Sequence, residues 1–365
     1  MVRPRILIAP LDWGLGHATR CIPIIKELIH LNCDVCIAAD KQILALLKKE
    51  FPHLLFLYLK GYKIKYSRNN KNFASTLFLQ FPKIAATIIY EKYWIRNAVK
   101  KYKIDAVISD NRFGLYYKKI PCIYITHQLF IETGNNISSF LATKIHSFFI
   151  KNYAKCWVPD YEQNGLAGKL SHPQKMLSNV SYIGALSRME ILPAVEQKYD
   201  LFISISGPEP QRTIFEKIIL EEVKNSERKV LVTRGLPANK KEFVFDNKFV
   251  TITNHLSSTQ MNLALQQSKQ IICRSGYTTI MDLVQLKKSA VLVPTPGQKE
   301  QEYLAAFLSE KKYFQYVKQE DLSLEKIAEE KGKIASQFSD FDEGIYKTVI
   351  NEFVLSLKTG NFAPQ

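Results

Sequence analysis

The chain has 365 residues, 46% of them hydrophobic and 23% charged, a globular composition with room for two cores. Its net charge of +16 is unevenly spread: 27 Lys+Arg stand against 12 Asp+Glu up to Val195, and 23 against 22 beyond. A basic half attracts anions, yet no zinc-finger spacing, RNP motif or basic helix speaks for nucleic acid, and no apolar run is long enough to span a bilayer.

In chain order, Arg5 to Ala9 reads as a strand, followed by a glycine turn and a helix from about Ala18 to Leu31. Strands are expected over Cys33–Ala38, Leu54–Leu59, Ala106–Ser109, Cys122–Thr126 and Ala154–Val158, with a helix over Lys41–Glu50. A second series opens at Leu201–Ile205, continues with a helix over Gln211–Val223 and strands at Lys229–Thr233 and Phe249–Thr253, and closes with strands at Gln270–Cys273 and Ala290–Val293. Short apolar runs alternating with helices specify parallel sheets, so the fold class is α/β with two Rossmann-like domains. We expect an N-terminal domain over 1–185, a linker over 186–198 and a C-terminal domain over 199–342, with a last helix near 343–357. The six cysteines sit in apolar runs and read as buried free thiols. The N-terminus runs straight into a strand with no signal peptide, so a reducing cytoplasm is expected.

Three constellations carry chemistry. In Asp12-Trp-Gly-Leu-Gly-His-Ala-Thr-Arg20, Gly14 and Gly16 let a ligand approach a helix start, and His17 brings an imidazole to the sheet edge. No third glycine completes a dinucleotide fingerprint. In the second, a strand delivers Arg274, Ser275 and Gly276 to a helix N-terminus, an anion site, with Asp282 about 10 Å along the helix, where a ribose would reach it. In the third, Pro294-Thr-Pro-Gly leads into Glu300, Gln301 and Glu302, side chains suited to sugar hydroxyls. Asp110 and His127 end two further strands, as a base or hydroxyl ligand and as an acceptor phosphate contact.

Arg274-Ser-Gly276, Asp282, Val293-Pro294 and Glu300-Gln301 together resemble the donor site of the GT-B glycosyltransferases, most closely the family 28 type. Gly14-Leu-Gly-His17 is similar to that family's N-terminal loop, and Ile183 to Arg188 to its interdomain segment. The resemblance implies two domains facing across a cleft. Ser275 and Gly276 would meet the phosphates, Asp282 the ribose, and Glu300, Gln301 or Glu302 the sugar. Arg188 would meet the diphosphate, Ser206 and Gly207 would form a second glycine loop, and His255 and Leu256 would read the base through their backbone. Two departures stand out: the family's Gly-Gly-Ser loop is here Ser206-Gly-Pro-Glu-Pro210, and its ribose Glu is the shorter Asp282.

The implied reaction moves a hexose or N-acetylhexosamine from a nucleotide diphosphate sugar, UDP by family, to an acceptor hydroxyl with inversion. His17 or Asp110 is the base. No Asp-x-Asp motif is present, and no metal or other cofactor is expected. Phe73–Tyr90 and Ile137–Lys155 mix apolar, aromatic and basic residues, which suits attachment to an anionic membrane surface and a lipid-linked acceptor. A UDP-sugar 2-epimerase of the same architecture and a non-catalytic sugar-nucleotide-binding protein are the alternatives.

Overall fold

A computed structural model describes residues 3–12, 15–63, 80–237, 239, 241, 243–325, 327, 338, 341, 344–360 and 362. The chain divides into two compact units, one of Met1–Ser187 with Asp342–Gln365 and the other of Arg188–Phe341.

The first unit is built on seven parallel strands: β1 (Arg5–Pro10), β2 (Asp34–Ala39), β3 (Leu55–Tyr58), β4 (Ala106–Asp110), β5 (Cys122–Ile125), β6 (Lys155–Val158) and β7 (Val180–Tyr182). They lie in the order β3-β2-β1-β4-β5-β6-β7. The central strands are nearly continuous apolar runs buried on both faces, as a parallel sheet covered by helices requires. The helices are α1 (Leu15–His30), α2 (Lys41–Glu50), α3 (Phe81–Tyr102) and α4 (Asn136–Ile150). The chain's last helix, α9 (Ile345–Thr359), returns to this unit. There Phe353 meets Trp157 edge-on at 5.4 Å, and Lys358 donates to the Leu31 carbonyl at the end of α1.

The second unit has six parallel strands, β8 (Tyr199–Ser204), β9 (Val230–Thr233), β10 (Val250–Thr253), β11 (Ser268–Cys273), β12 (Val291–Leu292) and β13 (Gln315–Tyr316), ordered β10-β9-β8-β11-β12-β13. Its helices are α5 (Gln211–Val223), α6 (Ser258–Gln266), α7 (Tyr277–Gln285) and α8 (Lys299–Glu310).

Strand order reverses between β1 and β4 in one sheet and between β8 and β11 in the other. Open α/β sheets take ligands beyond the carboxyl ends of the strands at such switch points. All six cysteines are buried and free. The stretch expected as a linker is not free chain: Glu190 accepts from the Asn262 and Gln266 amides, and the Leu192 N–H donates to Gln266. Those α6 side chains satisfy its backbone, so residues 188–198 belong to the second unit.

Candidate active site

The first site lies at the β1–β4 switch point. Its glycine turn is partly seen: Gly14 lies outside the described residues, while Gly16 falls in the first turn of α1. Asp12, two residues after β1, accepts from the backbone N–H groups of Tyr62 (2.8 Å) and Lys63 (3.0 Å). His17 and Arg20, three apart and so on one helix face, both reach Asp110 at the end of β4.

Asp110 is fully buried. Its two oxygens lie 3.2 and 3.3 Å from His17 Nδ1, and Arg20 donates to both, Nε at 2.8 Å. Arg20 also reaches His17 Nδ1 at 2.8 Å and His127 Nδ1 at 3.2 Å, so one guanidinium gathers a carboxylate and two imidazoles. Burial pushes the Asp110 pKa up, but Arg20 and then His17 outweigh it and hold it at about 2. For His17, burial lowers the pKa below 6.5, while Asp110 raises it and Arg20 opposes Asp110 from a similar distance. Burial outweighs the pull of Asp110, so the pKa stays below 6.5 and the neutral imidazole predominates at pH 7. His17 Nδ1 faces both the carboxylate, to which it donates in one tautomer, and Arg20 Nη2, from which it accepts in the other; the first tautomer leaves the Nε2 lone pair as an acceptor. His17 keeps 15% of its side chain exposed, the only member of the pair open to a substrate.

The loop after β4 is pinned from beneath. Arg112 donates to Glu91 at 2.8 Å, and the Tyr62 hydroxyl and Gly114 N–H donate to the other Glu91 oxygen at the same distance. All of this is buried, and a Cβ on Gly114 would lie 2.4 Å from the Ile88 carbonyl. Neither Arg20 nor the Glu91–Arg112 pair was picked out from the sequence. The spacing of Arg20 from His17 was a readable signal; the pair, 21 residues apart, gave none.

The second site lies at the β8–β11 switch point. Arg274, only 2% exposed, donates to the carbonyls of Ser206, Val293, Pro294 and Gln211 and to the Gln319 side chain, stacked 3.9 Å over Phe215. Burial lowers its pKa from 12.5 to about 9, so it stays cationic at neutral pH and ties the exits of β8, β11 and β12 together. The Ser275 side chain is likewise buried and donates to the Gln301 carbonyl at 2.9 Å. Gly276, by contrast, caps α7 with open space where a Cβ would stand. Asp282 lies in the second turn of α7, 7% exposed.

Gln301 and Glu302 turn back on their own loop, accepting from the Thr295 N–H at 2.9 Å and the Gly297 N–H at 2.8 Å. Their partners are the N–H groups preceding the helix, a local demand that any acceptor in the first turn meets. Glu300 stands half-buried beside them. Gly207, at φ +116, and exposed Ser206 follow β8. Exposed His255 and half-buried Leu256 join β10 to α6, the Thr253 hydroxyl donating to the His255 carbonyl at 3.2 Å. Arg188 donates to the Ser258 hydroxyl at 3.1 Å.

Comparison with known proteins agrees with this arrangement. Residues 5–332 match the family model described as glycosyl transferase family 1. An uncharacterized glycosyltransferase of Methanosarcina acetivorans is 22% identical over 340 residues, covering 85% of this chain and 84% of that protein. Among solved structures, a UDP-glucosyltransferase from Polygonum tinctorium superposes with TM-score 0.67 at 13% identity, covering 98% and 99% of the two chains. The glycosyltransferase SnogD from Streptomyces nogalater gives 0.65 at 11%, covering 98% and 100%, and MurG of Acinetobacter baumannii 0.52 at 13%, covering 98% and 95%. The motif resemblance and these neighbours meet on one architecture. The chain therefore belongs to glycosyl transferase family 1 and is a glycosyltransferase of the GT-B fold.

Proposed function

We propose that the protein transfers a hexose or N-acetylhexosamine from a UDP-sugar to a hydroxyl of a membrane-held acceptor, with inversion and with His17 as the general base. The observation that carries this is the His17–Asp110–Arg20 cluster: a neutral, partly open imidazole oriented by a buried carboxylate that is itself too acidic to take a proton at pH 7. The acceptor oxygen attacks the anomeric carbon, its proton passes to His17 Nε2, and the bond to the diphosphate breaks. The leaving diphosphate gathers at the N-terminus of α7, where Gly276 leaves room. No metal is needed in this scheme. A UDP-glucosyltransferase among the structural neighbours supports UDP as the nucleotide.

The membrane part of the reading rests on α4. Its buried face holds Ser139, His146 and Ile150, the imidazole 3.0 Å from the Tyr124 hydroxyl. Its outward face carries Ile137, Phe140, Leu141, Ile145 and Phe148, each 49–73% exposed, around Lys144. Between Glu132 and Asp160 the chain has no acidic residue. An apolar stripe ringed by lysines in a basic half of the chain suits an anionic bilayer surface. Nearby α3 adds exposed Phe81, Ile89 and Tyr93, while part of the other expected segment, 73–79, lies outside the described residues.

The test is a thermal-shift screen against UDP-, dTDP- and GDP-sugars, followed by nucleoside diphosphate release with membrane lipid extract as acceptor. A shift with one UDP-sugar and extract-dependent UDP release are expected. Stabilisation by no nucleotide sugar would end the reading.

A further inference from the structure

His17 and Asp110 reach their contact from two different strand exits. Pro10, the last residue of β1, pairs with Asp110, the last of β4. Beyond them the chain paths part: β1 leads through Asp12 to α1 and His17, and β4 turns at Asn111, whose φ is +55, into Arg112. A buried ring of side chains that the proposed reaction does not use joins the two exits. Arg112, 0% exposed, donates Nε to Glu91 (2.8 Å), Nη2 to the Lys60 carbonyl (2.6 Å) and Nη1 to the Pro10 carbonyl (3.4 Å). Its guanidinium thus reaches from the exit of β4 to those of β1 and β3. Tyr62 closes the ring. Its hydroxyl donates to Glu91 and accepts from the Phe113 N–H at 3.2 Å, while its own N–H donates to Asp12, on the way to His17. The Arg112 carbonyl is fixed as well, accepting from the Ser109 and Tyr153 hydroxyls at 2.8 and 2.6 Å.

A buried ion pair carries a desolvation penalty, and apolar side chains of similar volume often give equal or greater stability. What apolar packing does not supply is direction: a planar fork whose donors meet three fixed acceptors specifies one placement of the strand exits. We propose that Glu91 and Arg112 are positioning residues, which hold the exits of β1 and β4 at the separation where His17 Nδ1 meets Asp110. This rests on the reading of His17 as the general base. Both groups are fully buried, so neither touches a substrate. Their effect passes through Pro10 and Asp12 on one side and through Asn111 on the other. A displacement of about 1 Å in a reacting group costs roughly a hundredfold in rate, so a brace of this kind governs turnover without forming part of the site.

The experiment is a mutant cycle on the full chain: Arg112→Lys, His17→Ala and the two combined. UDP release with membrane lipid extract gives kcat, calorimetric titration gives the affinity for the UDP-sugar that raises Tm, and thermal melts give stability. Arg112→Lys keeps the counter-charge of Glu91 but replaces the fork by a single ammonium. Its kcat should fall about 10- to 100-fold while its affinity for the UDP-sugar stays that of the wild type. In the His17→Ala background the same substitution should cost almost nothing further, because the couple it aligns is already broken. Glu91→Gln with Arg112→Met, which removes both charges, should melt near the wild type and stay slow. Wild-type kcat in Arg112→Lys overturns the proposal. So does a loss that multiplies that of His17→Ala, or activity that returns with stability once both charges are gone, since each would make the pair framework alone. Full kcat in His17→Ala overturns the reading of His17 as the base, and the inference with it.

Discussion

Asp110→Asn probes the proposed catalytic cluster most directly. The carboxylate is fully buried, receives two hydrogen bonds from Arg20 and faces His17 Nδ1. Its pKa falls from 3.8 to about 2, which at 1.36 kcal/mol per unit corresponds to stabilisation on the order of 2 kcal/mol. The sign is that of a depressed carboxylate: the contribution is complete above pH 3.8 and is lost as pH falls through about 2. The amide does worse than forfeit this, since it leaves Arg20 as a buried cation without its counter-charge, a loss of about 3–5 kcal/mol. For a unit of this size that lowers Tm by roughly 6–20 °C. The amide also ceases to fix the His17 proton on Nδ1, so kcat should fall by about 10²–10⁴. Urea unfolding of the purified variant, followed by fluorescence and paired with UDP release, reads both effects. Adding Arg20→Met to Asp110→Asn should restore much of the stability and none of the activity. A single variant within about 1 kcal/mol of wild type would refute the account of Arg20 and Asp110 as a tightly paired buried couple.

Three further outcomes are expected. His17→Ala should lower kcat by about 10²–10⁴ while leaving donor affinity unchanged, and it should abolish the acid limb of the kcat/KM profile, which in the wild type lies below pH 6.5 because burial lowers the His17 pKa. An acid limb that survives unchanged in His17→Ala would exclude His17 as the base. Phe140→Glu with Phe148→Glu should abolish flotation on vesicles containing phosphatidylserine and leave stability within about 0.5 kcal/mol, since both rings are exposed; undiminished flotation would remove α4 from the membrane reading. Gly235→Ala should destabilise the second unit by about 1–3 kcal/mol, because φ is +69 and the new Cβ would lie 2.4 Å from the Ile205 carbonyl. Denaturant titration checks it, and an unchanged midpoint would show that the β9 exit moves freely.

Much of the fold is legible because parallel sheets write themselves as buried apolar runs. Arg5–Pro10 and Ala106–Asp110 could hardly be anything else. The two-residue strand β13 is too short for any period to show, and the edge strand β7, only half-buried, reads as loop. In the site, residues at strand exits could be found because a strand's end is visible in the sequence. That is how His17, Asp110 and His127, which share Arg20, came under notice although 110 residues separate the first from the last. What a strand-exit side chain does there depends on its neighbours from other strands, and the sequence does not show those. Gln301 and Glu302 suit a sugar in composition, yet in the structure they close their own loop.

The two arginines make the point in physical terms. Arg20 and Arg274 each lie at a switch point, nearly inaccessible, and each donates to oxygens or imidazole nitrogens. Arg274 is surrounded by neutral acceptors, mostly carbonyls of adjacent loops. None of these changes protonation near neutral pH, so its charge serves only to hold the loops in register, and it works as scaffold. Arg20 meets a carboxylate and two imidazoles, and its charge alters the proton affinity of Asp110 and His17. By keeping Asp110 ionised and offsetting that carboxylate's pull on His17, it leaves an imidazole that is neutral, oriented and still able to accept a proton. Identical side chains at equivalent places thus divide into framework and chemistry according to whether their partners can titrate.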